Sequence, residues 1–588
     1  MASFQSAPAS RILALTLFAA ATAAGCGEEA APAAPNLFIY GPGGFASFGN
    51  DAVVPSELAV QTYDGTALLQ YTPSDFSADD GGSLTIPSID LSGNTWMSVE
   101  GFNSDGTVWL GSSPFMSVDG AAVPGTIPVF TGPPNRFFSA YDIGYGDNFD
   151  PISVSMNGQL VGRTSQFAES AGRAGAAIAQ APGGKGYYVV GGASYSAGAL
   201  SNLSGNIEWY DPYDGRFKLV TEKGCDGEPV DCAVKLDSPR AFHSANIISG
   251  GRLFVAGGLT TGASGPEATA SIEVFTVSGA TAERVNSGVP FELLTPRAFH
   301  TATLFDDGSL LFVGGFSGSA AAPGTFPTML EFWDPRNASD MQESEIQLNK
   351  ARAMHTATYI PQRGHGLLVA GGRTNTEVVA DGAIIFKQKN ATDFSISPWV
   401  AGTCAEGSPL CRWGHTATLV KCSEEMPRVM LTGGYAAIVP SSTNLFEGAS
   451  PIATIGIFNT AWLLASQPVP AVFTRNAVLA ADPGLAVGFG SSAAFTLRNI
   501  VNELSVTDFV VAGGLDASGN PVATGRRISV DYGTCEPTSS VAADLTTPRA
   551  FATGLRNEGQ ALIFVGGAGG ATGAADWFYG DNFKFATN

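Results

Sequence analysis

Leu310-Leu311-Phe312-Val313-Gly314-Gly315 is an apolar run ending in a glycine pair, and the chain carries seven such runs. The others end at Gly191-Gly192, Gly257-Gly258, Gly371-Gly372, Gly433-Gly434, Gly513-Gly514 and Gly566-Gly567. A strand apolar at consecutive positions has to bury both faces, which an isolated sheet cannot do. Sheets packed face to face around an axis can. The glycine pair lets the backbone leave the strand through conformations closed to other residues. The repeat therefore predicts one small twisted sheet per copy.

Each run is bracketed by two further marks. Upstream stands an arginine motif: Pro239-Arg240-Ala241-Phe242-His243, Pro296-Arg297-Ala298-Phe299-His300, Ala351-Arg352-Ala353-Met354-His355 and Cys411-Arg412-Trp413-Gly414-His415, with weaker copies at Arg173, Arg475 and Arg549. The glycine pair follows the arginine by 17 to 21 residues in six of the seven copies. Downstream comes an aromatic, often with Asp-Pro, as in Trp209-Tyr210-Asp211-Pro212 and Phe332-Trp333-Asp334-Pro335. Apolar run, Gly-Gly and later aromatic together resemble the kelch repeat. That resemblance implies a β-propeller over roughly 137–588, with seven units giving seven blades. Insertions near 436–451 and between Arg475 and Gly513 read as projecting loops, where specificity tends to reside. Phe137 to Ile143 and Asp576 to Tyr579 are the candidates for the strands that close the ring.

The expected fold class is all-β, an immunoglobulin-like β-sandwich followed by the kelch-type propeller. Residues 37–127 hold short alternating stretches such as Leu58 to Gly65 and Trp96 to Gly101, broken by Asp-Gly turns, which read as an antiparallel sandwich. Residues 128–136 contain three prolines and read as a linker. At the N-terminus, Arg11 precedes an apolar run from Ile12 to Ala24 that is too short to span a bilayer. Its end, Ala23-Ala24-Gly25-Cys26, resembles the lipobox of bacterial lipoproteins, which implies a signal peptide over 1–25 and lipidation of Cys26. The alternative is an ordinary secretory signal with Cys26 a free thiol. Lipidation is favoured because residues 26–36 have the composition of a flexible tether. Gly27 after the cysteine resembles an outer-membrane sorting context.

Six cysteines remain. Cys225/Cys232 and Cys404/Cys411 share one spacing and read as small disulfide loops, leaving Cys422 and Cys535 as a third candidate pair. A metal site is the rival reading, but the spacing is not one that zinc sites use. The formal charge of −22 would repel nucleic acid and anionic lipid, so the membrane is reached only through the anchor.

Three constellations invite a chemical reading. His243, His300, His355 and His415 occupy one repeat slot, filled elsewhere by Ala176, Val478 and Ala552, and a slot that accepts alanine or valine points to packing rather than metal. Arg173, Arg240, Arg297, Arg352, Arg412, Arg475 and Arg549 recur once per unit and form a candidate ring at the propeller mouth, able to grip an anion. Repetition in every unit favours a structural clamp instead. Galactose-oxidase-like kelch proteins use copper with tyrosines, histidines and a thioether-linked cysteine, a set with no counterpart outside the repeat slots. No catalytic residue, metal or cofactor is expected. The reading is a lipid-anchored outer-membrane protein that binds a protein or glycan, with a carbohydrate-active enzyme or a structural envelope protein as alternatives. Mass spectrometry of membrane fractions should find Cys26 lipidated at a new N-terminus; an unmodified or absent Cys26 there would count against the anchor.

Overall fold

The computed structural model is all-β. It describes the backbone of the strands named below between residues 36 and 163, and most residues from 173 to 579, with 460–474 the longest stretch outside the description. The signal segment, Cys26 and the tether up to residue 35 lie outside it.

Each glycine pair ends the second strand of a four-stranded antiparallel sheet. In the third sheet the strands are Thr301–Leu304, Leu310–Val313, Met329–Trp333 and Gln342–Gln347, hydrogen-bonded in that order. The run Leu310–Val313 is wholly buried because it packs against the second sheet on one face and the fourth on the other. The second sheet gains a fifth strand, Thr221–Glu222, lent by the chain leaving the first.

In the last sheet, Thr553–Arg556, Ala561–Val565 and Ala575–Tyr579 are completed by Phe137–Phe138 from far upstream. Both candidate closing segments thus take part, with Phe137 opposite Phe578. The backbone also links sheet to sheet. The second glycine of each pair donates its N–H to a carbonyl of the next sheet: Gly192 to Arg240, Gly258 to Arg297, Gly315 to Arg352, Gly372 to Arg412, Gly434 to Val487 and Gly514 to Arg549. Gly567 returns to Arg173, so the series of seven bonds, 2.7–3.2 Å long, comes back to its start.

Two expectations change. Arg475 is not in the arginine slot. Strand Arg475–Ala477 is the outer strand of the fifth sheet, and Val487 receives the bond that an arginine carbonyl receives elsewhere. Residues expected as a linker are partly strand: Thr126–Gly132 pairs in parallel with Asn36–Gly41 and antiparallel with Gly106–Ser112. Pro128 is tolerated because it lies where this strand has a neighbour on one side only. The N-terminal strands form one mixed sheet of eight strands plus a two-stranded sheet, Gly93–Thr95 with Met116–Val118.

Cys225–Cys232 and Cys404–Cys411 are disulfides, with Cα atoms 5.9 and 5.3 Å apart. Cys535 is disulfide-bonded too, while Cys422 lies outside the described residues. These bonds mark an oxidising, exported environment. Among the described residues no helix is long and apolar enough to cross a membrane.

The arginines are clamps. Arg173, Arg240, Arg297, Arg352, Arg412 and Arg549 are all buried, and each donates from Nη1 to the carbonyl of the first glycine in its own sheet's pair, at 2.8–3.1 Å. Four also pair with a third-strand or adjacent carboxylate: Arg173 with Glu208, Arg240 with Glu273, Arg297 with Glu331 and Arg352 with Asp381. Replacing Arg297 by Ala would leave Glu331 buried without its guanidinium and should cost about 3–5 kcal/mol. The Arg297→Met/Glu331→Leu double variant should recover most of that, read from urea denaturation midpoints; equal loss in both variants would refute the clamp.

Candidate functional site

Where the inner strands begin, the chain makes a sharp turn in every sheet. The turning residue has a left-handed backbone: Gly175, Phe242, Phe299, Met354, Gly414, Phe489 and Phe551, with φ between 54° and 64°. Five of these carry large side chains, at a backbone cost of roughly 1–2 kcal/mol each. What offsets it is a second run of sheet-to-sheet hydrogen bonds, Phe242 N–H to Gly175 O and onward through 299, 354, 414, 489 and 551, at 2.5–3.3 Å. The geometry turns the rings inward. Phe242 and Phe299 stack with centroids 4.2 Å apart, and Phe489 lies 4.9 Å from Phe551.

One mouth of the ring is closed by the fifth sheet. After Gly434 its chain forms a hairpin, Tyr435–Ile438 with Gly448–Pro451, in the region expected as an insertion. The tip of this strap drops Phe446, 1% exposed, onto Phe242, Phe299, Phe489, Phe551 and Tyr195, at centroid distances of 4.8–5.8 Å. Around it, Tyr195 Oη donates to Gly519 O at 2.9 Å and Tyr435 Oη to Leu515 O at 3.0 Å. Burial holds the Tyr195 phenol up at about 12, so it remains a donor. Arg373 lies 4.6 Å over the Trp413 ring and donates to Leu445 O at 3.3 Å. Gly198 is required where it stands: its φ is +82°, and a Cβ there would come within 2.6 Å of Asn444 Cγ in the strap.

Behind this aromatic floor lies a cavity of about 280 Å³ to which all seven sheets contribute. Its wall holds Ala176, His243, His300, His355, His415, Gly490 and Thr553, one from each sheet in turn. The four slot histidines therefore meet around one space. Gly490 fills the sixth position where Val478 was expected; Val478 lies outside the described residues.

The imidazoles are tied to the preceding sheet. Nε2 of His300 shares a hydrogen bond with Ser244 Oγ at 3.0 Å, His355 with Thr301 Oγ1 at 3.1 Å, and His415 with Thr356 Oγ1 at 2.9 Å. The residue after each slot supplies the hydroxyl. His243 faces a sheet where that residue is Ala177, and neither of its ring nitrogens has a hydrogen-bond partner. Desolvation, then the neighbouring arginine charge, lowers all four: His300 and His355 to about 3, His243 and His415 well below the ordinary value. The site is uncharged at neutral pH. Among the described residues no group of three or more His, Cys, Asp or Glu is arranged to hold a metal ion.

No protein-family model and no curated protein matches the chain. Among solved structures it is similar to YjhT, at 12% identity over 64% of this chain and 99% of that one, with a TM-score of 0.40. It is also similar to a fungal alcohol oxidase of the AA5 family in complex with copper, at 14% identity over 71% of this chain and 75% of that one, with a TM-score of 0.45. At these scores neither likeness speaks to activity.

The sequence motif Arg-Ala-Phe-His holds the floor as well as the wall, and its phenylalanine is a site residue that the repeat pattern alone does not assign. Its signal was the alternation of Phe, Met and Gly at one slot, the mark of a residue selected for a turn. The depressed histidine values give a pH dependence with a definite sign. The unfolded chain takes up protons below about pH 6.5 and the folded protein does not, so this stability is present above that pH and lost on acidification. Each histidine should contribute a slope of about 1.4 kcal/mol per pH unit between pH 6 and 4. His415→Gln should lower the slope by one proton's worth in urea titrations at several pH values.

Proposed function

We propose that this chain is an exported, lipid-anchored envelope protein whose seven linked sheets form a seven-bladed kelch-type propeller, preceded by an immunoglobulin-like domain. Its task is recognition of a protein or glycan on the face that carries the loops following the glycine pairs. The observation that carries this reading is the strap. It is the described element that departs furthest from the repeat, and it lies across that face in contact with loops of the other sheets. The arginines, by contrast, have their Nη1 donors turned inward to backbone carbonyls, so the repeated charge serves the frame.

Exposed positions on the same face include small and uncharged polar residues, beside Glu377, which pairs with Lys350. Ala199, Asn375, Thr376 and Ser518 are exposed, a set of positions suited to close approach by a partner. An array of envelope proteins and glycans, probed with the full chain in detergent, should yield a saturable partner. Placing arginine at Ala199 and Ser518 should weaken it by at least about tenfold with an unchanged unfolding midpoint, since a buried unpaired charge at an interface costs more than 1.4 kcal/mol. Binding untouched by both substitutions would move the site off this face. Turnover of a sugar alcohol with stoichiometric copper would replace the reading by an enzyme.

A further inference from the structure

In the first six sheets the residue after the glycine pair is Ala193, Leu259, Phe316, Arg373, Tyr435 and Leu515. Each pairs through its backbone with the residue that follows the arginine slot, or with Gly488 in the sixth sheet. Five are wholly buried, four of them in the cluster around the strap. The fourth sheet instead places a half-buried cation there, which the repeat does not need. The geometry points to Arg373 as the residue that receives one carboxylate of a partner protein beside the strap. This rests on the loop-face reading above and deepens it to one chemical group.

Among the described residues Arg373 has no carboxylate partner, whereas Arg173, Arg240, Arg297 and Arg352 each have one. Burial lowers it to about 10, so it stays cationic at neutral pH with no countercharge. The acid on its own turn, Glu377, faces Lys350 at 3.3 Å. The Trp413 ring, 4.6 Å away, covers one face of the guanidinium, and such stacking leaves the donors in the guanidinium plane free. Of these, Nε donates to Thr374 O at 3.1 Å and Nη1 to Leu445 O at 3.3 Å. Nη2 has no acceptor among the described residues, and it and the second hydrogen of Nη1 are left for a ligand. Arg373 also pairs through its backbone with Ala353 and Val378. The guanidinium is therefore ordered before a ligand arrives, which spares part of the cost of binding. Two parallel charge-assisted bonds are what a carboxylate accepts from such a fork.

A protein carboxylate is favoured over an acidic sugar. Sugars pack on exposed aromatic rings, and at this mouth Trp413, Tyr435 and Phe446 are at most 1% exposed. Exposed Asn375, two residues on, donates from Nδ2 to Pro323 O at 2.8 Å and keeps Oδ1 as an acceptor for a peptide N–H. The formal charge of −22 opposes a polyanionic glycan but tolerates one carboxylate on an otherwise neutral or basic partner.

The test probes the full chain in detergent with a combinatorial pentapeptide array. Each peptide with a central Asp or Glu is set against its Asn or Gln twin, with the C-terminus free or amidated, and galacturonic-acid oligomers are spotted beside them. Acidic peptides should bind at least about tenfold tighter than their amide twins, the worth of one charge-assisted pair. A preference that follows the free C-terminus rather than the side chain assigns the site to a chain end. Arg373→Gln should erase the preference, and Arg373→Lys should keep only part of it, since lysine lacks the fork. Arg373→Leu restores the residue of the second and sixth sheets, so it should also erase the preference while the unfolding midpoint holds or rises. A residue that merely clasped the strap would lower that midpoint instead. Capture of no peptide, equal binding of acid and amide twins, tighter binding of the uronate oligomers, a preference that survives Arg373→Gln, or a lowered midpoint in Arg373→Leu would overturn the inference. Partner binding lost on Ala199→Arg and Ser518→Arg yet unchanged in Arg373→Gln would leave the loop-face function standing without it.

Discussion

The structure depends on one junction, repeated. A glycine pair ends a buried strand, its second N–H reaches the next sheet's carbonyl, and a buried arginine in the same sheet holds the first glycine's carbonyl. Both glycines have positive φ in every copy. A Cβ on Gly257 would stand 2.6 Å from Arg297 O, so a side chain there would push adjoining sheets apart. Backbone polar groups at a dry interface have to be satisfied, and this junction satisfies them across sheets rather than within one.

Burying six guanidinium groups is expensive, and the arrangement shows how the cost is met. Four face carboxylates, and all six face carbonyls whose own strand ends would otherwise lack donors. Arg412, whose bonds include the carbonyls of Leu431 and Gly433, is lowered to about 10 by desolvation yet stays cationic at neutral pH. Burial is the main cause that keeps the histidines neutral, and the same positive charge behind them adds to it. Frame and cavity are thus coupled: the clamp that joins the sheets reinforces the neutral state that burial imposes on the cavity wall. The strap adds a third tie, since Phe446 touches rings from four other sheets besides Tyr195 at once.

Much of this was legible in residue order, and the failures are specific. The Gly-Gly runs located the second strand of each sheet, and the recurring arginine was read as a clamp more readily than as an anion ring. Arg475 misled because the sixth sheet has no arginine in the slot at all. Val487-Gly488-Phe489-Gly490 keeps the turn and loses both polar marks, and the arginine that precedes it in the chain, Arg475, belongs to the outer strand of the fifth sheet. The prolines near 128 signalled a linker because composition does not show that one flank of a strand is unpaired. The insertion after Gly434 was visible as extra length. That its Phe446 would plug the axis was not, because the partner rings come from positions hundreds of residues apart.

By itself the sequence determined the all-β class, the unit of repetition, the two close disulfides and the shared slot of the histidines. Each of these is encoded within a few tens of residues, by periodicity, by spacing or by a backbone conformation that glycine alone takes freely. Only the tertiary structure decided that the histidine slot faces a common cavity, that His243 is left unpartnered by Ala177, and that the strap closes one mouth. Those are properties of a ring, in which neighbours across the axis are distant in the chain, and no local pattern records which side chains a closed circle brings together.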